Sequence, residues 1–185
     1  SVSNAGGNIL LSGGSTSSAT NEGGSTTIKG GDSGGPGGVV EVFSGASTAG
    51  RSGNVVLRSS EGLESGKVDI STGPASQGSS GSVAISTGVA SSGKGGEILL
   101  NVGASEQAAG GSVTMKAGDT LNGNFEAGSV ELTAGSALNS AEGSGGNLVM
   151  KAGASLSASS GGRSTLSAGD SSQGIGGDLL VQSGA

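Results

Sequence analysis

Ser33 lies in the stretch Gly31-Asp32-Ser33-Gly34-Gly35-Pro36, the one run of this 185-residue chain whose residue types suggest a nucleophile. A serine hydroxyl attacks a carbonyl only when a base removes its proton, and the usual base is an imidazole. The chain has no His. It also has no Cys, which removes disulfides, thiolate nucleophiles and thiolate metal sites together. Gly118-Asp119-Thr120 and Gly169-Asp170-Ser171 repeat the same order of residue types, so a recurring turn accounts for the serine better than catalysis does. Asp32, Asp119 and Asp170 are the candidates for a cation site. Stacked at one corner, they would offer carboxylate and carbonyl oxygens to Ca²⁺. The competing reading is that each Asp caps its own turn with a side-chain to backbone hydrogen bond.

Three local resemblances attach to these residues and to a set of threonines. The 31–36 stretch resembles the nucleophile motif of chymotrypsin-like serine proteases, but the histidine that motif works with is missing. The aspartates resemble those of the glycine- and aspartate-rich RTX repeats. The nonapeptide of that family does not recur, however, and Pro74 interrupts the column. Thr27, Thr114 and Thr165 are similar to the threonine arrays of insect antifreeze proteins. Asp69 breaks that array, and Lys29, Lys67, Lys116 and Arg163 flank it with strongly hydrated charge. Threonine's suitability for a sheet surface explains it more simply.

The elements that must position these residues come from one frame, glycine-x-Φ-x-Φ-x-small-glycine, which occurs twelve times. The segments open at Gly7, Gly24, Gly38, Gly53, Gly66, Gly81, Gly96, Gly111, Gly128, Gly146, Gly162 and Gly177. Each closes on a glycine seven positions on, except where Ser60 stands. Apolar residues two apart share a face of a strand. The linkers, of Gly, Ser, Ala, Asp and Asn, read as turns. The expected fold class is therefore all-β, a parallel β-solenoid with residues 1–185 as one array.

Every third segment carries an extra apolar residue between its two Φ positions: Leu10, Val56, Leu99 and Val149. Asn8, Asn54 and Asn147 stand beside three of them. This superperiod of about 46 residues predicts a triangular coil of three strands per turn and four turns, with Gly7 above Gly53, Gly96 and Gly146 rather than paired with Gly24. The four apolar residues then form one column, expected to pack laterally against another chain, and the asparagines an amide ladder that sets register.

Composition narrows function further. Gly is 42 of 185 residues, Phe 2, and Trp and Tyr are absent, so no large-residue core is possible. Net charge is −6, with 8 scattered Lys and Arg and no aromatic platform, which argues against nucleic acid as partner. No stretch has the ~20 apolar residues of a membrane span. No cofactor is implied. None of the asparagines lies in an N-x-Ser/Thr sequence, whereas the Ser- and Thr-rich corners could carry O-linked glycans.

In glycine, serine and threonine content and in repeat period, the whole chain resembles the tandem-repeat surface and filament proteins of algae and the microbial adhesins. That resemblance implies a non-enzymatic building block of an extracellular filament, fibre or cell-surface stalk. The rivals are an ice- or carbohydrate-binding solenoid module, which would need a flat uncharged face, and a β-helix enzyme resembling the pectate lyases, which would need converging acids and bases. The chain ends also match in phase: Gly184-Ala185 followed by Ser1-Val2 would continue the repeat. End-to-end contact is accordingly expected through Val2, Gly7, Ile9 and Leu11 at one end and Leu179, Val181 and Gly184 at the other, with the 185 residues as one period of a longer array.

Overall fold

The computed structural model describes residues 6–122, 124–138 and 143–184. Among these residues there is no helix and no β-strand; the chain is irregular throughout and no residue is buried. The expected all-β class, the parallel β-solenoid and its triangular cross-section of four turns are therefore corrected. No ladder joins Gly7 to Gly53, Gly96 or Gly146.

What the backbone forms instead is a series of closed loops. In seven linkers the N–H of an opening glycine donates to the carbonyl of the preceding closing glycine. Gly24 reaches Gly14 at 2.7 Å, Gly38 reaches Gly31 at 2.9 Å and Gly53 reaches Gly45 at 2.8 Å. Further along, Gly128 bonds Gly118 at 3.0 Å, Gly146 bonds Gly135 at 2.8 Å, and Gly162 and Gly177 bond Gly153 and Gly169 at 2.9 Å. Consecutive segments are thus tied at the neck of the linker between them. The physical reason is local. A neck joins residues 7 to 11 apart in sequence, and closing such a loop costs about 1.4 kcal/mol less chain entropy than joining residues 46 apart.

The neck also explains the small residue before each closing glycine. Where a neck forms, that residue is Gly13, Gly30, Ser44, Ala117, Ala134, Ala152 or Ala168. All but Ser44 are half-buried, in a chain that is otherwise almost wholly exposed. Three linkers without this bond have a β-branched residue there, Thr72, Thr87 or Val102, and the fourth has Ser59 followed by Ser60. A β-carbon on Gly111 would lie 2.8 Å from Val102 Cγ1, and one on Gly96 would lie 3.1 Å from Thr87 Cβ. The branched side chain occupies the space in which the neck would close. Thr72 and Thr87 form a weaker substitute, their hydroxyls donating to the carbonyls of Gly81 (3.3 Å) and Gly96 (3.5 Å).

By its contacts the chain divides into two units, Ser1–Ser86 and Thr87–Ala185. The first has its three necks toward its start and open linkers at 60–66 and 73–81. The second begins with open linkers at 88–96 and 103–111 and has four necks after them.

Candidate functional site

The apolar residues proposed for lateral contact stand in water. Leu10 is 87% exposed, Val56 71%, Leu99 84% and Val149 79%. No ladder brings them to a common face, so the stacked column and the amide ladder of Asn8, Asn54 and Asn147 are not formed within the chain. Their neighbours are exposed as well, giving the uncovered runs Ile9-Leu10-Leu11, Val55-Val56-Leu57, Ile98-Leu99-Leu100 and Leu148-Val149-Met150. Of the residues assigned to end-to-end contact, Gly7, Ile9, Leu11, Leu179, Val181 and Gly184 are exposed, and Val2 lies outside the described residues.

A second apolar set escaped the sequence reading. Leu63, Leu121, Leu138 and Leu156 each stand three residues after a closing position, at the tip of a linker, and all four are exposed. The signal was present as a constant offset from the closing residue. Treating linkers as polar turns hid it.

The aspartates have lysine partners. Lys29 Nζ donates to Asp32 Oδ2 at 2.7 Å and Lys116 Nζ to Asp119 Oδ2 at 2.5 Å, each pair straddling a closing glycine. Lys67 pairs with Asp69 at 2.5 Å, and Lys94 with Glu97. Asp170 has no lysine at the equivalent position, where Ser167 stands. Asp32 and Asp119 are therefore ion-paired rather than capping their turns. Among the described residues, no three acidic side chains gather into a cation site.

Serine does the capping. The Oγ of Ser47, Ser105 and Ser171 accepts the N–H three residues on, from Gly50 (2.9 Å), Ala108 (3.1 Å) and Gly174 (2.8 Å). Ser33 Oγ accepts from Gly35 N–H at 3.0 Å, so this serine also shapes its turn. Positive φ occurs among the described residues only at Gly78 (φ 81°). An open depression of about 430 Å³ beside Arg58, Ser59, Ser60 and Glu61 marks the one linker where serine replaces the closing glycine.

These features amount to exposed apolar runs and tips on a chain of hydrogen-bonded loops, with four of the five lysines held in ion pairs. No family model, no curated protein and no solved structure matches the chain.

Proposed function

We propose that the chain is a structural building block which associates with further copies of itself, laterally and end to end, in an extracellular filament, fibre or cell-surface stalk. Its exposed area carries this reading. The chain exposes 18,445 Å², whereas a compact monomer of 17.0 kDa exposes about 7,700 Å². The excess is on the order of 10,000 Å². One ordinary pairwise interface covers only about 800 Å² per partner, so a dimer leaves most of the excess uncovered. Contact along the length of the chain, on more than one side, is what brings its aliphatic side chains out of water.

Composition supports the same direction. Val, Ile, Leu and Met recur at fixed places in all twelve segments, at both Φ positions in ten and at one in the other two, and recurrent patches suit recurrent partners. Four of the five lysines are engaged with carboxylates of their own chain, which leaves aliphatic rather than charged side chains as the unengaged groups along most segments. Sedimentation velocity and negative-stain electron microscopy over a wide concentration range test the proposal. Growth into elongated species with rising concentration is expected, and a chain that remains monomeric throughout would refute it.

A further inference from the structure

The four glutamines are distributed unevenly. Gln77, Gln107 and Gln173 each stand four residues after a closing glycine, at Gly73, Gly103 and Gly169, whereas Gln182 lies within the last segment. The first three therefore share a loop-tip position, and their turns are built to present it. Ser105 Oγ holds Ala108 N–H and Ser171 Oγ holds Gly174 N–H, so that each serine-capped turn has its glutamine immediately before the donor residue. Gln77 immediately precedes Gly78, whose positive φ turns the chain at that point. All three glutamines are exposed, and none of their carboxamides takes part in a hydrogen bond within the described residues.

The lysines show a complementary asymmetry. Lys29, Lys67, Lys94 and Lys116 are in ion pairs, and Lys151 alone has no carboxylate partner among the described residues. Its side chain belongs to an exposed residue. A primary carboxamide and a primary amine are the two reactants of transamidation. The chain thus displays the acyl donor at three loop tips and the acceptor at one free side chain.

We propose that Gln77, Gln107 and Gln173 are acyl donors, and Lys151 the preferred acceptor, for covalent cross-linking of copies by a cysteine-type acyltransferase supplied from outside the chain. The enzyme's thiolate adds to the glutamine Cδ, and the carboxamide nitrogen leaves as ammonia with formation of a thioester. Lys151 Nζ, deprotonated by the enzyme's base, attacks the thioester carbonyl. The Cδ–Nζ amide forms and the thiol is released. The balance is one carboxamide and one alkylammonium in, one isopeptide bond and one ammonium ion out, with no redox step. Backbone at these tips belongs to no ladder, so it can enter an enzyme cleft without unfolding anything else.

The test uses the full-length chain, a transamidating cysteine acyltransferase and a dansylated alkylamine, with labelled sites mapped by mass spectrometry. Because a small amine labels single chains and assemblies alike, the result stands apart from whether copies associate. Gln77, Gln107 and Gln173 are expected to take label ahead of Gln182. With a glutamine-containing dipeptide as acyl donor, Lys151 is expected to react up to about fivefold faster than the four paired lysines, the range set by an exposed ion pair. Without either probe, covalent oligomers should form and be lost in the Gln77→Asn, Gln107→Asn, Gln173→Asn triple variant. Absence of label at all three glutamines, label favouring Gln182, or Lys151 reacting no faster than the other lysines would overturn the proposal.

Discussion

Replacing Gly38 by Ala and, separately, Gly177 by Ala should change two similar necks in opposite directions. Both glycines donate at 2.9 Å, to Gly31 and Gly169, and alanine keeps the donating N–H in each case. The difference is steric. A β-carbon on Gly38 would lie 2.8 Å from Gly31 N, a backbone atom that cannot swing aside, whereas one on Gly177 would have its closest neighbour, Gly169 N, at 3.6 Å. The first neck must therefore widen, losing about 1 kcal/mol of hydrogen bond, which corresponds to roughly fivefold less amide protection. The second keeps its bond and gains about 0.4–1 kcal/mol because alanine restricts the open chain more than glycine does, roughly two- to fivefold more protection. Hydrogen exchange followed by NMR at residues 38 and 177 reads both effects directly. Equal shifts of the same sign at the two sites would refute the steric account of the necks.

Removing the branch at a neckless linker should create a neck: Val102→Ala is expected to raise protection of the Gly111 amide about fivefold, and an unchanged exchange rate would count against the role given to that side chain. Leu10, Val56, Leu99 and Val149 replaced together by Thr should weaken association by on the order of 1 kcal/mol per side chain, seen as a higher concentration for the onset of sedimenting species; unaltered assembly would exclude these residues from the contact. Asp32→Asn and Asp119→Asn each release a lysine from an exposed pair worth at most about 1 kcal/mol. They should leave the neighbouring necks at Gly38 and Gly128 unchanged in hydrogen exchange while making Lys29 and Lys116 more reactive toward an acylating reagent.

The segment boundaries were legible in the sequence because glycine marks them for a steric reason. Gly24 and Gly38 sit where a β-carbon would come within 2.8 Å of the backbone N of the closing glycine, and the approach is looser at the other necks, reaching 3.6 Å at Gly177. The small position of the frame was also visible, though its purpose emerged only when Ala117, Ala134, Ala152 and Ala168 proved half-buried under the necks. Pairing was not legible. Alternation such as Val83-Ala84-Ile85 reports which side chains share an environment, but it does not say which other backbone will take up the hydrogen bonds. The every-third pattern of Leu10, Val56, Leu99 and Val149 was read as stacking within one chain, while the arrangement of necks follows the residue just before each closing glycine instead. The lysine partners of Asp32 and Asp119 lay three residues away and could have been found from spacing alone. Weighing only a cation site against a backbone cap concealed them.

The seven necks place loops of 7 to 11 residues in series along one backbone. Under tension each neck is a short-circuit that holds slack out of the load path. When its single hydrogen bond yields, the loop behind it runs out by roughly 20–30 Å at about 3.4 Å per residue, and when the force falls the same two glycines are still near enough in sequence to find each other again. The four neckless linkers in the middle contribute compliance from the start, while the necked flanks stiffen the chain until they give way one at a time. Pulled from its ends, such a strand would absorb work in small, reversible steps rather than in one break.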